Sequence, residues 1–201
     1  MNNALLPQTS RLPMGIDVIL RVHDPARLVE LDRALLSLVF QSFQPVHPII
    51  VAQSFMPQEM AALRSLVEKF DWTGFGQQTP TLLNADLPPG DHRTRLLNLG
   101  IACVRHRFVA FLDADDYMYE DAYTYLTEAA LERNAAIAFG NIVVKDTLRL
   151  PSFVYNVALH HGRFQGDGLP DLMAGNFCPI HSFVLDRERI DAADLVFDER
   201  L

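Results

Sequence analysis

The chain has 201 residues, 49% of them hydrophobic and 21% charged, which excludes a disordered tract and allows a substantial core. A formal net charge of −8 at pH 7 argues against a nucleic-acid partner, because phosphate backbones need a clustered positive field. Two cysteines, Cys103 and Cys178, lie far apart without a CxxC pair, so neither a zinc site nor a disulfide framework is expected and a reducing compartment is the default.

The N-terminal MNNALLPQTSRLPMG has neither the basic start nor the long apolar centre of a signal peptide. No apolar run approaches the roughly 20 residues of a membrane span. A cytoplasmic chain without a membrane span is the expectation. Residues 1–14 read as a lead-in, and residues 15–201 as a single domain. Ile16–Leu20 is a strand candidate that ends at Arg21–Val22–His23–Asp24. Pro25 then starts a helix behind an Asp cap. Leu28, Leu31, Leu35, Leu38 and Val39 recur at helical spacing. A second strand is expected at Pro48–Val51, followed by a helix in PQEMAALRSLVEKF, where Met60, Leu63 and Val67 share a face. Thr81–Leu83 is a third strand candidate. A polar turn, Leu87 to Asp91, leads into the helical RTRLLNLGIACV. Phe108–Leu112 has the continuous apolar character of a buried strand, and EDAYTYLTEAALERN that of a helix. Strand and helix thus alternate over the first two-thirds, the pattern of a mostly parallel α/β sheet covered on both faces. Beyond it, Ile137–Phe139 and Ile142–Val144 are short strand candidates, and Pro170 to Ile190 mixes a helix start, a loop and a strand.

The apolar strand at Phe108 runs directly into Asp113, Asp115 and Asp116. Three carboxylates so close repel one another, and partial burial raises the penalty for ionising them. Ligands of α/β sheets gather at the carboxyl ends of the strands. Asp113 and Asp115 would share a side if the strand continued. Such a group can hold Mg²⁺ or Mn²⁺ through hard oxygen ligands, or it can be an Asp-rich turn capping the next helix. The tripeptide alone leaves both open.

The surroundings of that cluster are more telling. Asn98–Leu99–Gly100, the apolar strand and Leu112–Asp113–Ala114–Asp115–Asp116 together resemble the inverting family 2 glycosyltransferases, which have the Rossmann-like GT-A fold. The opening strand and long amphipathic helix, Ile16 to Ser42, fit the same family. Asn176 to Ser182 and Phe197–Asp198–Glu199–Arg200–Leu201 are similar to its later segments. The resemblance implies transfer of a sugar from a nucleotide-diphosphate donor to a hydroxyl of a glycan or lipid-linked acceptor, with inversion, in surface polysaccharide or glycan synthesis. It implies a nucleotide-binding part over residues 15–118 and an acceptor-side part over 119–201. It assigns Asp115 and Asp116 to a Mn²⁺ or Mg²⁺ ion, with Asp115 also reaching the ribose and Asp113 supporting both from the strand end. Arg93 and Arg95 stand where family members often carry a basic residue toward the donor; guanidinium forks suit phosphate oxygens, and a solvated turn is the alternative.

Departures from the family pattern are equally definite. In place of a Pro–x–Tyr–Asn turn the chain has Arg21–Val22–His23–Asp24. His23 is either a base contact or an exposed loop histidine, and Asp24 takes the place of the Asn. In place of an aspartate pair after the second strand it has Ala52–Gln53, and Gln53 can offer a donor and an acceptor to a base but no charge. His160–His161 reads as exposed polarity. His181 reads as a buried, hydrogen-bonded histidine, with an acceptor contact as the other option. The family's acidic general base is expected beyond Leu201. A catalytically inactive nucleotide-sugar-binding or scaffold module is the rival reading. A Mg²⁺-dependent phosphatase or nucleotidyltransferase is a third, although aspartyl phosphatases carry DxD on their first strand.

Overall fold

The structure, a computed structural model, describes residues 11–150, 153–163 and 178–200. Eight strands and four α-helices follow one another in those segments: β1 (Ile16–Val22), α1 (Leu28–Val39), β2 (Val46–Gln53), α2 (Pro57–Glu68), β3 (Thr81–Ala85), α3 (Arg93–Ile101), β4 (Phe108–Asp113), α4 (Ala122–Glu132), β5 (Ile137–Phe139), β6 (Ile142–Leu150), β7 (Phe153–Gly162) and β8 (Phe183–Asp186). The strands and helices expected up to Val144, and the strand expected before Ile190, are present, most strands longer and the helices shorter than the segments expected for them, while the helix start expected at Pro170 lies outside the described residues. A strand across His160 and His161, β7, is the main addition. Asn176 and Phe177, part of the later family-like segment, lie outside the described residues.

Six strands form one sheet in the order β3-β2-β1-β4-β8-β5. β1 through β4 are parallel, and β8 runs antiparallel between β4 and β5. The central strands are buried on both faces, which explains why they read as unbroken apolar runs rather than alternating ones. Ile16, Val18, Leu20 and their neighbours Phe108, Ala110 and Leu112 meet α1, α2 and α4 on one face. Ile19, Ile49, Val51, Val109 and Phe111 meet Leu96, Leu97 and Ile101 of α3 on the other.

Gly100 sets the spacing on the α3 face. A Cβ built there would lie 2.5 Å from Cγ2 of Ile19, so only glycine lets α3 approach β1 this closely. Two residues earlier, Asn98 brackets Phe197. Its Nδ2 donates to the Phe197 carbonyl at 2.9 Å, and its Oδ1 accepts from the Phe197 N–H at 2.9 Å. The Asn–x–Gly motif therefore packs α3 on the sheet and ties the Phe197–Asp198–Glu199 segment to it.

At the amino-terminal edge of the sheet, on the same face, Asp17 is wholly buried. His47, its register partner on β2, places Nδ1 2.6 Å from Asp17 Oδ1, and His106 places its own Nδ1 3.0 Å from the same oxygen. The other oxygen accepts backbone N–H groups of Arg105 and His106 at 2.6 and 2.7 Å. Burial pushes the Asp17 carboxyl up, but these four hydrogen bonds outweigh it and hold the group below its usual range. Nearby, Arg107 makes a two-pronged contact with buried Asp186, at 2.9 and 2.6 Å, joining β4 to β8.

β6 and β7 form a separate two-stranded antiparallel ribbon. Val144, Leu148, Tyr155, Val157 and Leu159 are exposed on it. His160 lies against Asp146 at 2.9 Å on the ribbon surface. Among the described residues no helix is long and apolar enough to cross a membrane.

Candidate functional site: a charged cleft at the carboxyl ends of β1 and β4

β1 and β4 are neighbours in register, and their last residues bring Arg21 opposite Asp113. The pair closes to 2.8 Å and forms a common wall of two recesses. The smaller, about 180 Å³, is lined by Arg21, Val22, His23, Arg27, Asp113, Ala114 and Asp115. The larger, about 400 Å³, is bounded by Arg93, Thr94 and Leu97 of α3 and by Pro179, Ile180 and His181 from the segment before β8. The cleft thus opens where the strands of a parallel sheet end, between the first helix-bearing turn and α3.

The three aspartates do not share one side. β4 ends at Asp113, and the chain turns at once, the Asp116 N–H donating to the Asp113 carbonyl at 3.0 Å. The side-chain alternation expected from a continued strand is lost, and each carboxylate faces a different basic side chain. Asp113 meets Arg21, Asp115 meets Arg27 at 2.8 Å, and Asp116 Oδ2 lies 2.8 Å from Nδ1 of His181. This last contact is close but lacks the alignment of a hydrogen bond, and it is an ion pair when His181 is protonated. Burial lowers the basicity of His181, but Asp116, reinforced by Asp113 and Asp115, outweighs burial and raises its pKa above the ordinary value. The self-pairing answers the repulsion that three adjacent carboxylates would otherwise suffer.

Arg27 reaches Asp115 because of local capping. Asp24 caps the short 3-10 turn Pro25–Arg27, its Oδ1 accepting from the Ala26 N–H at 2.9 Å, and α1 continues from Arg27. Asp24 therefore organises the turn, and His23 stands exposed on the cleft wall. Arg93 lines the larger recess and is anchored by Asp91, whose carboxyl it holds at about 2. Arg95 is exposed on α3 but lines neither recess. Gln53, at the end of β2, donates to the Gly90 carbonyl at 3.1 Å and also lines neither recess. The structure thus brings Asp113, Asp115, His23 and Arg93 onto the walls of one cleft, with Asp116 joined to it through His181, whereas Asp24, Gln53 and Arg95 line neither recess. Arg21, Arg27 and His181 are the basic side chains that close the cluster.

Carboxylate oxygens on Asp115 and Asp116 are a suitable donor set for a hard divalent cation. Where they stand, their nearest charges are Arg27 and His181, so a cation would have to compete with these side chains. Among the described residues, three possible ligand atoms come within 4.8 Å of one another only at Asp17, His47 and His106. That closeness is explained by hydrogen bonding, because both imidazoles face one carboxylate oxygen and two backbone amides take the other.

A profile of the family described as Glycosyl transferase family 2 matches residues 90–176, which include α3, β4 and the Asp113–Asp116 turn. In structure the chain is similar to S. aureus TarS 1–349, with 17% identity and a TM-score of 0.50, over 62% of this chain and 34% of that one. The same values hold for TarS 1–349 in complex with UDP. It is also similar to the mannosyltransferase PcManGT from Pyrobaculum calidifontis in complex with GDP-Man and Mn²⁺, with 18% identity and a TM-score of 0.51, over 69% of this chain and 37% of that one. The chain therefore spans about a third of the length of these solved structures. No curated protein sequence matches it. The fold, a six-stranded mostly parallel sheet between helices, is the GT-A fold of these glycosyltransferases.

Proposed function

We propose that the chain is the donor-binding part of an inverting glycosyltransferase that uses a nucleotide-diphosphate sugar and Mn²⁺ or Mg²⁺, and that acts in polysaccharide or glycan synthesis. One observation carries this reading: the family match over residues 90–176 includes the Asp113–Asp116 turn, and that turn walls the cleft at the carboxyl edge of a GT-A sheet. Of the two similar proteins, TarS 1–349 forms a complex with UDP and PcManGT one with GDP-Man and Mn²⁺.

In this reading Asp115 and Asp116 hold the cation, with Asp113 and Arg21 fixing the floor. A bound dication would stabilise negative charge on the departing diphosphate as a Lewis acid. Arg93, secured by Asp91 at the mouth of the larger recess, offers a guanidinium fork to phosphate oxygens. His23, exposed on the wall of the smaller recess, offers a ring face to the base or ribose. Leu97, Pro179 and Ile180 give the larger recess an apolar side that limits water around the sugar. Proton removal from the acceptor hydroxyl requires a carboxylate or imidazole within hydrogen-bond reach of it. In this reading residues 119–201 form the acceptor side.

A nucleotide-sugar-binding module without turnover is the second reading. It is favoured by Ala52–Gln53 at the end of β2 and by the complete internal pairing of the three aspartates. Calorimetric titration with Mn²⁺ and a panel of nucleotide sugars tests the shared part of both. Metal-dependent binding is expected, and a folded sample that binds no nucleotide with Mn²⁺ present would overturn them together. Release of free sugar or sugar transfer from the bound donor then separates enzyme from module.

A further inference from the structure

The three ion pairs of the cleft are unequal in a way that singles out Arg27. Arg21 and Asp113 are 17% and 29% exposed, and they sit side by side in register on neighbouring strands. Arg27 and Asp115 are 42% and 49% exposed, and both line the smaller recess. The backbone of Arg27 is fixed, its N–H donating to the Asp24 carbonyl at 3.0 Å, so the guanidinium moves on a secure base. Its side chain therefore has both freedom and a defined reach.

Arg27 Nη1 lies 2.8 Å from Asp115 Oδ2. A Mg²⁺ ion on that oxygen would sit about 2.1 Å away, inside the space the guanidinium now claims and with the same sign of charge. The two compete wherever the ion takes the lone pair that the guanidinium now holds. Once displaced, the guanidinium would find its nearest new anion in whatever phosphate the cation brings to the recess, a group its paired N–H donors suit well.

We propose that Arg27 is an exchangeable counter-cation of Asp115: it neutralises the carboxylate in the free cleft, yields it to a divalent cation, and then binds the diphosphate that arrives with that cation. The assignment rests on the nucleotide-sugar reading above and adds to it a residue that positions the donor. It makes metal and diphosphate binding mutually supportive. The cation releases Arg27, and the diphosphate gives the released side chain a partner.

Arg27→Gln on the whole chain tests this, with Mg²⁺ alone, then UDP and GDP in the presence of Mg²⁺, followed by calorimetry. Removing an exposed competing ion pair is expected to tighten Mg²⁺ binding by about twofold to fivefold. Losing a charge-assisted phosphate contact is expected to weaken diphosphate binding by about tenfold or more. Because deleting a positive charge could shift both affinities through the field alone, the side-chain Nε–H resonance of Arg27 is followed by NMR in the parent chain. It is expected to move with the same Mg²⁺ dependence as the calorimetric signal. A resonance that stays in place while Mg²⁺ binds would overturn the exchange, as would Arg27→Gln affinities equal to the parent's or falling together. Those outcomes leave the nucleotide-sugar reading intact. A parent and a variant that bind neither Mg²⁺ nor diphosphate would instead remove that reading, and the exchange with it.

Discussion

One face of the central sheet carries an aspartate at each end of its β1–β4 core, and the two are treated in opposite ways. Asp17, at the amino-terminal edge, is fully buried and accepts four hydrogen bonds from His47, His106 and the Arg105 and His106 amides. Asp113, at the carboxyl edge, is partly exposed, pairs with Arg21 and borders open space on two sides. Each is paired through sheet register, Asp17 with His47 and Asp113 with Arg21. The same residue type serves as a closed structural node at one end and as part of an adaptable binding wall at the other. The difference lies in how completely its oxygens are used up by the protein itself.

Mutation should separate the two ends sharply. Asp17→Ala would orphan two buried imidazole N–H groups and two buried amides, and a loss of about 3–5 kcal/mol is expected in urea unfolding. Asp113→Ala should lose about 1 kcal/mol or less, because its partner can turn to water. Comparable losses at the two positions would break the contrast. The pH dependence sharpens it further. The Asp17 carboxyl is held below its ordinary value of 3.8, so its contribution is present above that pH and is lost as pH falls through the lower folded value. Stability of the parent should therefore drop on acidification below about pH 4. Asp17→Asn, already less stable at neutral pH, should show a shallower drop in the same window.

The α3 face between the two ends gives the next effect. Gly100→Ala would drive a methyl group to 2.5 Å from Ile19, and overpacking of this kind costs about 1–3 kcal/mol. Asn98→Ala, on the same helix, removes a two-way clamp on the Phe197 backbone and should lose about 1–2 kcal/mol. Hydrogen exchange at the Phe197 amide distinguishes the two. Asn98→Ala should free that amide, whereas Gly100→Ala should lower global stability without singling it out.

Much of this architecture was legible because it depends on short-range pattern. Continuous apolar runs give β1, β2 and β4, and helical spacing gives α1 and α2, since burial on one or two faces writes those periods directly into the chain. β7 was harder to read, because Tyr155, Val157 and Leu159 alternate on an exposed ribbon with no core to demand a clean apolar face. At the site, the Asp113–Asp116 cluster was conspicuous by its charge density alone. Its partners were not. Arg21 precedes Asp113 by two intervening strands, and pairing them requires knowing that β1 lies beside β4 in the sheet. Arg27 and His181 are likewise joined to the cluster only by the crossover connections. His47 and His106 are drawn to Asp17 across three segments with no motif to link them. Non-local charge pairing follows topology, and topology is where single-chain pattern is weakest.

The smallest expected effect on stability carries the most information about the cleft. Asp115 is half exposed and paired only across open space, so Asp115→Asn should change unfolding free energy by about 0.5 kcal/mol or less. If the cluster were merely a capping turn for α4, that near-silence would extend to every other property. If the carboxylate is a cation ligand, the same substitution should abolish detectable Mn²⁺ binding and the metal-dependent part of nucleotide binding while leaving the melting temperature unchanged. A residue whose charge is dispensable to the fold but decisive for a ligand marks the carboxyl edge of the sheet as functional, in the way that Asp17, indispensable to the fold, marks the amino edge as structural.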